Sequence, residues 1–201
     1  GLQFVMLSDF TDAPEERMPA DTEILETARE QVRELNSRHS SRYGKKFFLL
    51  HRNRQWNEGE DAWMGWERKR GKLEEFNRLL RNRGAETTFI DPEANTPESV
   101  YEVPVKYVIT LDADTKLPPG STKDLIRTAA HPLNRAEIDA SGHAVTKGYG
   151  IFQPRISIPP KSANKTWFSR VFSGNVGIDP YTTAVSDVYQ DLFGEGVFTG
   201  K

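Results

Sequence analysis

Asp112 and Asp114 stand one residue apart directly after Val105-Lys106-Tyr107-Val108-Ile109-Thr110-Leu111, the most continuous apolar and β-branched run in the chain. Such a run predicts a central parallel strand covered on both faces. Two carboxylates at its carboxyl end can both approach a hard divalent cation, which takes oxygen ligands and keeps positions for phosphate oxygens. The same Asp-x-Asp can also cap a turn with no ligand at all. The strand before it and the Pro118-Pro119-Gly120-Ser121 turn after it favour the metal. Asp112-Ala113-Asp114-Thr115 also suits a haloacid-dehalogenase-like phosphotransferase with Asp112 as nucleophile, although that fold opens with its motif and here more than half the chain precedes it. An EF-hand loop is excluded, because its sixth position holds Leu117 in place of Gly and its twelfth Lys123 in place of Glu. A phosphate-binding loop ending at Gly200-Lys201 fails because Glu195 stands where its leading glycine belongs. Paired carboxylates also serve glycoside hydrolases, but these two are too close in sequence to flank a sugar ring.

A second constellation lies upstream. Trp66-Glu67-Arg68-Lys69-Arg70-Gly71-Lys72 places cations and a glycine ahead of an expected helix, whose amino-terminal N–H groups and dipole suit a diphosphate. The bland alternative is a solvated basic face. Trp56, Trp63 and Trp66 sit in the same stretch, either as core or as flat faces for a sugar ring, so a non-catalytic carbohydrate-binding module is a third functional class. Asp187, Asp191 and Glu195 offer carboxylates, the first two at the spacing of a solvated helix face. His39, His51, His131 and His143 lack metal-ligand spacing and are read as structural.

These groups need elements to position them. Phe4 to Leu7 and Phe47-Phe48-Leu49-Leu50 read as strands. Ile24, Leu25, Ala28, Val32 and Leu35 mark one helix face, and Leu73, Phe76, Leu79 and Leu80 another over 72–80. A helix is expected after Pro118-Pro119-Gly120-Ser121, and a strand over Gly150-Ile151-Phe152-Gln153. Residues 91–100 and 155–166 are loop candidates. The alternation β-α-β-α-β-α-β predicts an α/β layered fold with a mainly parallel sheet whose ligands gather at the carboxyl ends of strands.

The composition sets the outer limits. With 201 residues, 36% of them apolar and 10% aromatic, the chain can bury the core of one domain. Its 27 basic and 29 acidic residues nearly cancel, so nothing in the net charge asks for nucleic acid or an anionic membrane. The absence of cysteine rules out disulfides, thiolate metal sites and a cysteine nucleophile. Leu2 to Leu7 already reads as a strand and Val197 to Lys201 as part of an element, so the chain is expected to be a segment of a longer protein.

Four long segments then carry a resemblance. Leu7-Ser8-Asp9-Phe10-Thr11-Asp12-Ala13-Pro14-Glu15-Glu16, Trp63 to Asn77, Tyr107 to Thr115, and Gly177-Ile178-Asp179-Pro180-Tyr181 through Gly194-Glu195-Gly196 resemble the glucosyltransferase domain of bacterial cyclic β-1,2-glucan synthases. The likeness runs nearly end to end. It implies a GT-A-like, Rossmann-like fold, a UDP-glucose donor, a Mg²⁺ or Mn²⁺ ion, inversion, and a growing β-glucan as acceptor. The parent protein would sit at the cytoplasmic face of the inner membrane, held there by parts outside this chain.

By position, Asp9 should face the uracil or ribose and Lys72 the nucleotide, with Arg70 assisting, while Asp112 and Asp114 hold the donor sugar and the metal-bound diphosphate. Gln153, Arg155 and the Gly194-Glu195-Gly196 turn are expected on the sugar and acceptor side. A nucleotide-binding half over 1–116 and an acceptor-side half over 117–201 follow. The catalytic base, a carboxylate in similar enzymes, is expected beyond Lys201, and a first strand of the fold before Leu2.

Overall fold

The computed structural model describes residues 2–39, 44–82, 84–91, 105–142, 144–152, 154, 164–172 and 192. The chain divides into two compact units, Gly1–Val108 and Ile109–Lys201.

The first unit is built on a parallel strand pair. β1 (Phe4–Asp9) and β2 (Phe47–Arg52) run in register from Phe4 opposite Phe47 to Asp9 opposite Arg52. Parallel strands need a crossover, and α1 (Asp21–Arg38) supplies it, packing along β2. Side chains alternate along a strand, so Val5, Leu7 and Asp9 share a face with Phe48, Leu50 and Arg52. Against that face lies α2 (Arg68–Arg81), and Leu50, Phe76, Leu79 and Phe89 form the core there with Val5, Leu7 and Leu80 around them. On the opposite face the Phe4 and Phe47 rings stack at 5.1 Å and Ser8 meets His51.

Between β2 and α2 the tryptophan-rich stretch folds as a hairpin, β3 (Gln55–Asn57) with β4 (Ala62–Met64). Its outer strand exchanges both backbone hydrogen bonds with Ala13, at 2.9 Å each. Along the other edge of β2, Thr88 O accepts from Asn53 N and Ile90 N donates to His51 O, so the segment around Phe89 runs antiparallel to it.

α1 is rotated from the expected face. Leu25, Ala28, Val32 and Asn36 are half-buried, whereas Ile24 and Leu35 are 54% and 37% exposed. A polar residue decides the rotation. The Asn36 side chain accepts from Lys46 N and Phe47 N and donates to Phe47 O and Val32 O, fastening the end of α1 to the start of β2.

The second unit carries α3 (Ser121–Ala130), a short 3-10 turn (Pro132–Asn134), a hairpin of β5 (Glu137–Ile138) and β6 (Val145–Lys147), and α4 (Trp167–Phe172). α3 begins where the Pro118-Pro119-Gly120-Ser121 signal places it. Two expected strands are corrected. Val105–Leu111 forms no ladder, and Val105, Tyr107, Val108 and Leu111 are 40 to 50% exposed. High β-propensity records a fit to a pleated, covered surface, and among the described residues no strand pairs with this run to provide one. Gly150–Phe152 likewise carries no strand, and the backbone pairs instead one residue earlier, where Tyr149 bridges to Arg135. Among the described residues, every buried hydrophobic side chain lies in the first unit, and no helix is long and apolar enough to cross a membrane.

Candidate functional site

At the carboxyl ends of β1 and β2 the paired strands finish in opposite charges, Asp9 and Arg52. Arg52 has no solvent exposure. Its Nε donates to Asp9 Oδ1 at 2.7 Å, Nη1 to Glu75 Oε1 at 2.8 Å and to Trp66 O at 2.9 Å, and Nη2 to Arg68 O at 2.8 Å. The second oxygen of Asp9 accepts from Lys72 Nζ at 2.8 Å. Glu75, itself buried, accepts further from Thr87 Oγ1, Thr88 N and Thr88 Oγ1 at 2.7 to 3.0 Å. Two anions and two cations thus alternate as Glu75, Arg52, Asp9, Lys72, reaching from the interior to a rim where Asp9 and Lys72 are 18% and 17% exposed.

Burial alone would raise both carboxyls. Desolvation pushes Asp9 up, but hydrogen bonds and charge from Arg52 and Lys72 outweigh it and leave the carboxyl below its ordinary value. Glu75 behaves alike, with Thr88, Arg52 and Thr87 outweighing its burial. The Arg52 guanidinium, opposed by its own burial, is nonetheless held cationic by Asp9 and Glu75.

Two glycines permit the arrangement. A Cβ on Gly65 would lie 2.9 Å from both Arg52 Nη2 and Asp9 Cγ, so the backbone passes directly over the pair. A Cβ on Gly71 would meet Trp66 O at 2.1 Å. Between them, Glu67 and Arg68 have φ of +50° and +47°, the left-handed region that side chains disfavour. This turn sits between the two carbonyls that Arg52 grips.

A neighbouring cluster lies around the ends of the same strands. Arg54 is buried, bonds Asp21 through both terminal nitrogens at 2.5 and 3.1 Å, donates to Thr11 O and Glu16 O, and covers the Phe10 ring at 4.8 Å. The hydrogen bond from Arg54 lowers the Asp21 carboxyl despite its burial. His51 shares a 2.8 Å hydrogen bond with Ser8 Oγ through Nδ1, packs edge-on to Phe10, and leaves Nε2 buried without a partner among the described residues. Burial pushes its imidazole below the ordinary value.

Of the residues expected at a nucleotide, Asp9 and Lys72 are therefore in direct contact. Arg70 faces solvent and pairs with Glu67 at 2.9 Å. α2 begins at Arg68, so Gly71 lies within the helix rather than ahead of it, and its N–H donates to Glu67 O. The glycine therefore does not lead the helix, contrary to the expected order of cations, glycine and helix start. Trp56 is 46% exposed and stands edge-to-face with Trp63 at 5.9 Å.

Asp112 and Asp114 belong to the second unit, exposed in a turn closed by Thr115 N donating to Asp112 O at 3.0 Å. With Val105–Leu111 unpaired, a buried strand supports neither the metal hook nor the aspartyl phosphotransferase. Among the described residues no three His, Asp or Glu side chains converge as a metal site. What this turn contributes is two exposed carboxylates, oxygen ligands of the kind Mg²⁺ or Mn²⁺ takes when phosphate and water complete the shell. Gln153, Arg155, Asp187, Asp191, Glu195, Gly196 and His143 lie outside the described residues.

Arg52, Glu75 and Gly65 escaped the sequence reading. The available signal was the shared position of Asp9 and Arg52, each the last residue of an apolar strand. No protein-family model matches the chain. Over all 201 residues it is 44% identical to the cyclic β-(1,2)-glucan synthase NdvB of Rhizobium meliloti (strain 1021), and it spans 7% of that protein's length.

Proposed function

We propose that this chain is part of the glucosyltransferase region of a cyclic β-1,2-glucan synthase and binds a UDP-glucose donor with a divalent metal. The observation that carries this reading is the 44% identity sustained along the whole chain. The Asp9 and Lys72 corner supports it as a nucleotide-recognising rim at the carboxyl end of a parallel pair, where α/β folds bind ligands.

A carboxylate offers about four acceptor positions. Arg52 and Lys72 occupy two on Asp9, which leaves the partly exposed side able to accept from a uracil N–H or a ribose hydroxyl. An ammonium carries three donors, of which Asp9 takes one, so Lys72 can also reach a phosphate oxygen. Asp112 and Asp114 would hold the metal, whose chemistry is to neutralise charge gathering on the UDP leaving group. Inversion needs a carboxylate to take the proton of the acceptor hydroxyl. β-Glucan as acceptor and a parent protein at the inner membrane complete the proposal.

Calorimetric titration of UDP with Mn²⁺, with EDTA and with Asp114→Asn tests it. Binding should need the metal and weaken at least about tenfold in Asp114→Asn. Metal-independent binding, or none under any condition, would overturn the reading.

A further inference from the structure

We infer that Arg52, clamped by Glu75, is the positioning residue of the Asp9–Lys72 rim, fixing both the carboxylate and the strained turn that delivers Lys72. This inference rests on the proposed nucleotide site for its functional meaning, but its geometry stands apart from it. One fully buried guanidinium reaches three structural pieces, namely Asp9 at the end of β1, Glu75 in the second turn of α2, and the Trp66 and Arg68 carbonyls at the start of that helix.

Those carbonyls bracket Glu67 and Arg68, two successive side-chain-bearing residues at positive φ. Such a turn persists only where its surroundings over-determine it. Four residues after Arg68, Lys72 meets the oxygen of Asp9 that Arg52 does not use. Glu75 is secured in turn by Thr87 and Thr88 beside β2, so the guanidinium cannot swing between its two carboxylates. A lysine in place of Arg52 could satisfy one carboxylate but not two carboxylates and two carbonyls at once.

The test uses Arg52→Lys, Glu75→Gln and Thr88→Val in the whole chain. Each is first checked for cooperative unfolding, and if Arg52→Lys does not fold, the other two decide. Lys72 acetylation is followed by mass spectrometry against exposed Lys45. The inference expects Lys72 to react at least about threefold faster relative to Lys45 in folded variants, as in Asp9→Asn, because its anion is no longer held. UDP affinity in Mn²⁺ should fall about tenfold in Arg52→Lys, and Arg52→Lys should cost clearly less affinity in a Lys72→Met background than in the parent chain. A merely stabilising Arg52 would give additive losses. Unchanged Lys72 labelling in folded variants overturns the inference. If the parent chain binds no UDP, the proposed function fails instead, and labelling still decides whether Arg52 positions the rim.

Discussion

At the residue scale, charge pairs below the surface behave unlike those upon it. The Arg70–Glu67 pair is exposed and spans three residues across the start of α2, a geometry that contributes little in water. Arg52 is held by two anions and two carbonyls with no water to replace them, so losing one partner leaves an unpaired buried charge, at a cost of about 3–5 kcal/mol. Gly65 is the least obvious participant, because it offers no functional group and its role is absence of bulk. Gly65→Ala is expected to push Asp9 and Arg52 apart, lowering stability by about 1–3 kcal/mol in urea titrations and weakening UDP binding in parallel. Asp9 and Lys72 were legible through the long segments that carry the resemblance, Leu7 to Glu16 and Trp63 to Asn77. Arg52 was not, since a His-Arg pair after four apolar residues reads equally well as the end of a strand facing solvent.

At the element scale, polar side chains fix what hydrophobic periodicity leaves loose. The apolar positions of α1 allow more than one rotation, and Asn36 selects one through its four backbone hydrogen bonds. Asn36→Ala should cost about 1–3 kcal/mol by denaturant unfolding, because it strands buried backbone groups at the α1–β2 junction. Asn36→Asp should recover only the two bonds accepted from Lys46 N and Phe47 N. Gly71 sets how closely α2 approaches its own preceding turn. With Trp66 O only 2.1 Å from the hypothetical Cβ, Gly71→Ala cannot be absorbed by a rotamer change and is expected to cost about 3 kcal/mol or more, visible as a thermal midpoint lowered by several degrees. Both paired strands and the first three helices were legible from apolar spacing and turn chemistry. The β3–β4 hairpin was not, because three-residue strands are too short to show a period.

At the scale of the whole molecule, the buried charges make stability depend on pH in two stages. His51 has its imidazole lowered by burial, so above pH ~6.5 it is neutral folded or unfolded and makes no difference. As pH falls below that value the unfolded chain takes up a proton that the folded chain refuses, and stability declines by up to about 1.4 kcal/mol per pH unit until the folded imidazole also titrates. Asp9, Asp21 and Glu75 are lowered instead, so their contribution is intact above pH ~4.5 and is lost as pH drops through their folded values. Urea midpoints measured from pH 8 to pH 3 should show both stages, and His51→Gln should abolish the first while leaving the second. A single decline confined to acid pH in the parent chain would mean that His51 is not held neutral.

The sequence by itself determined β1, β2, α1 and α2 of the first unit, because apolar periodicity and terminal signals are local properties of the chain. It also carried the likeness to a glucan synthase, since long shared segments need no coordinates. Which cations and anions meet is a different matter. Asp9, Arg52 and Glu75 lie 43 and 23 residues apart along the chain, and only the parallel register of β1 on β2 and the packing of α2 bring them within hydrogen-bond reach. Whether Val105–Leu111 pairs was also decided only in three dimensions, because a strand exists by virtue of its neighbour, and propensity does not say whether a neighbour is there.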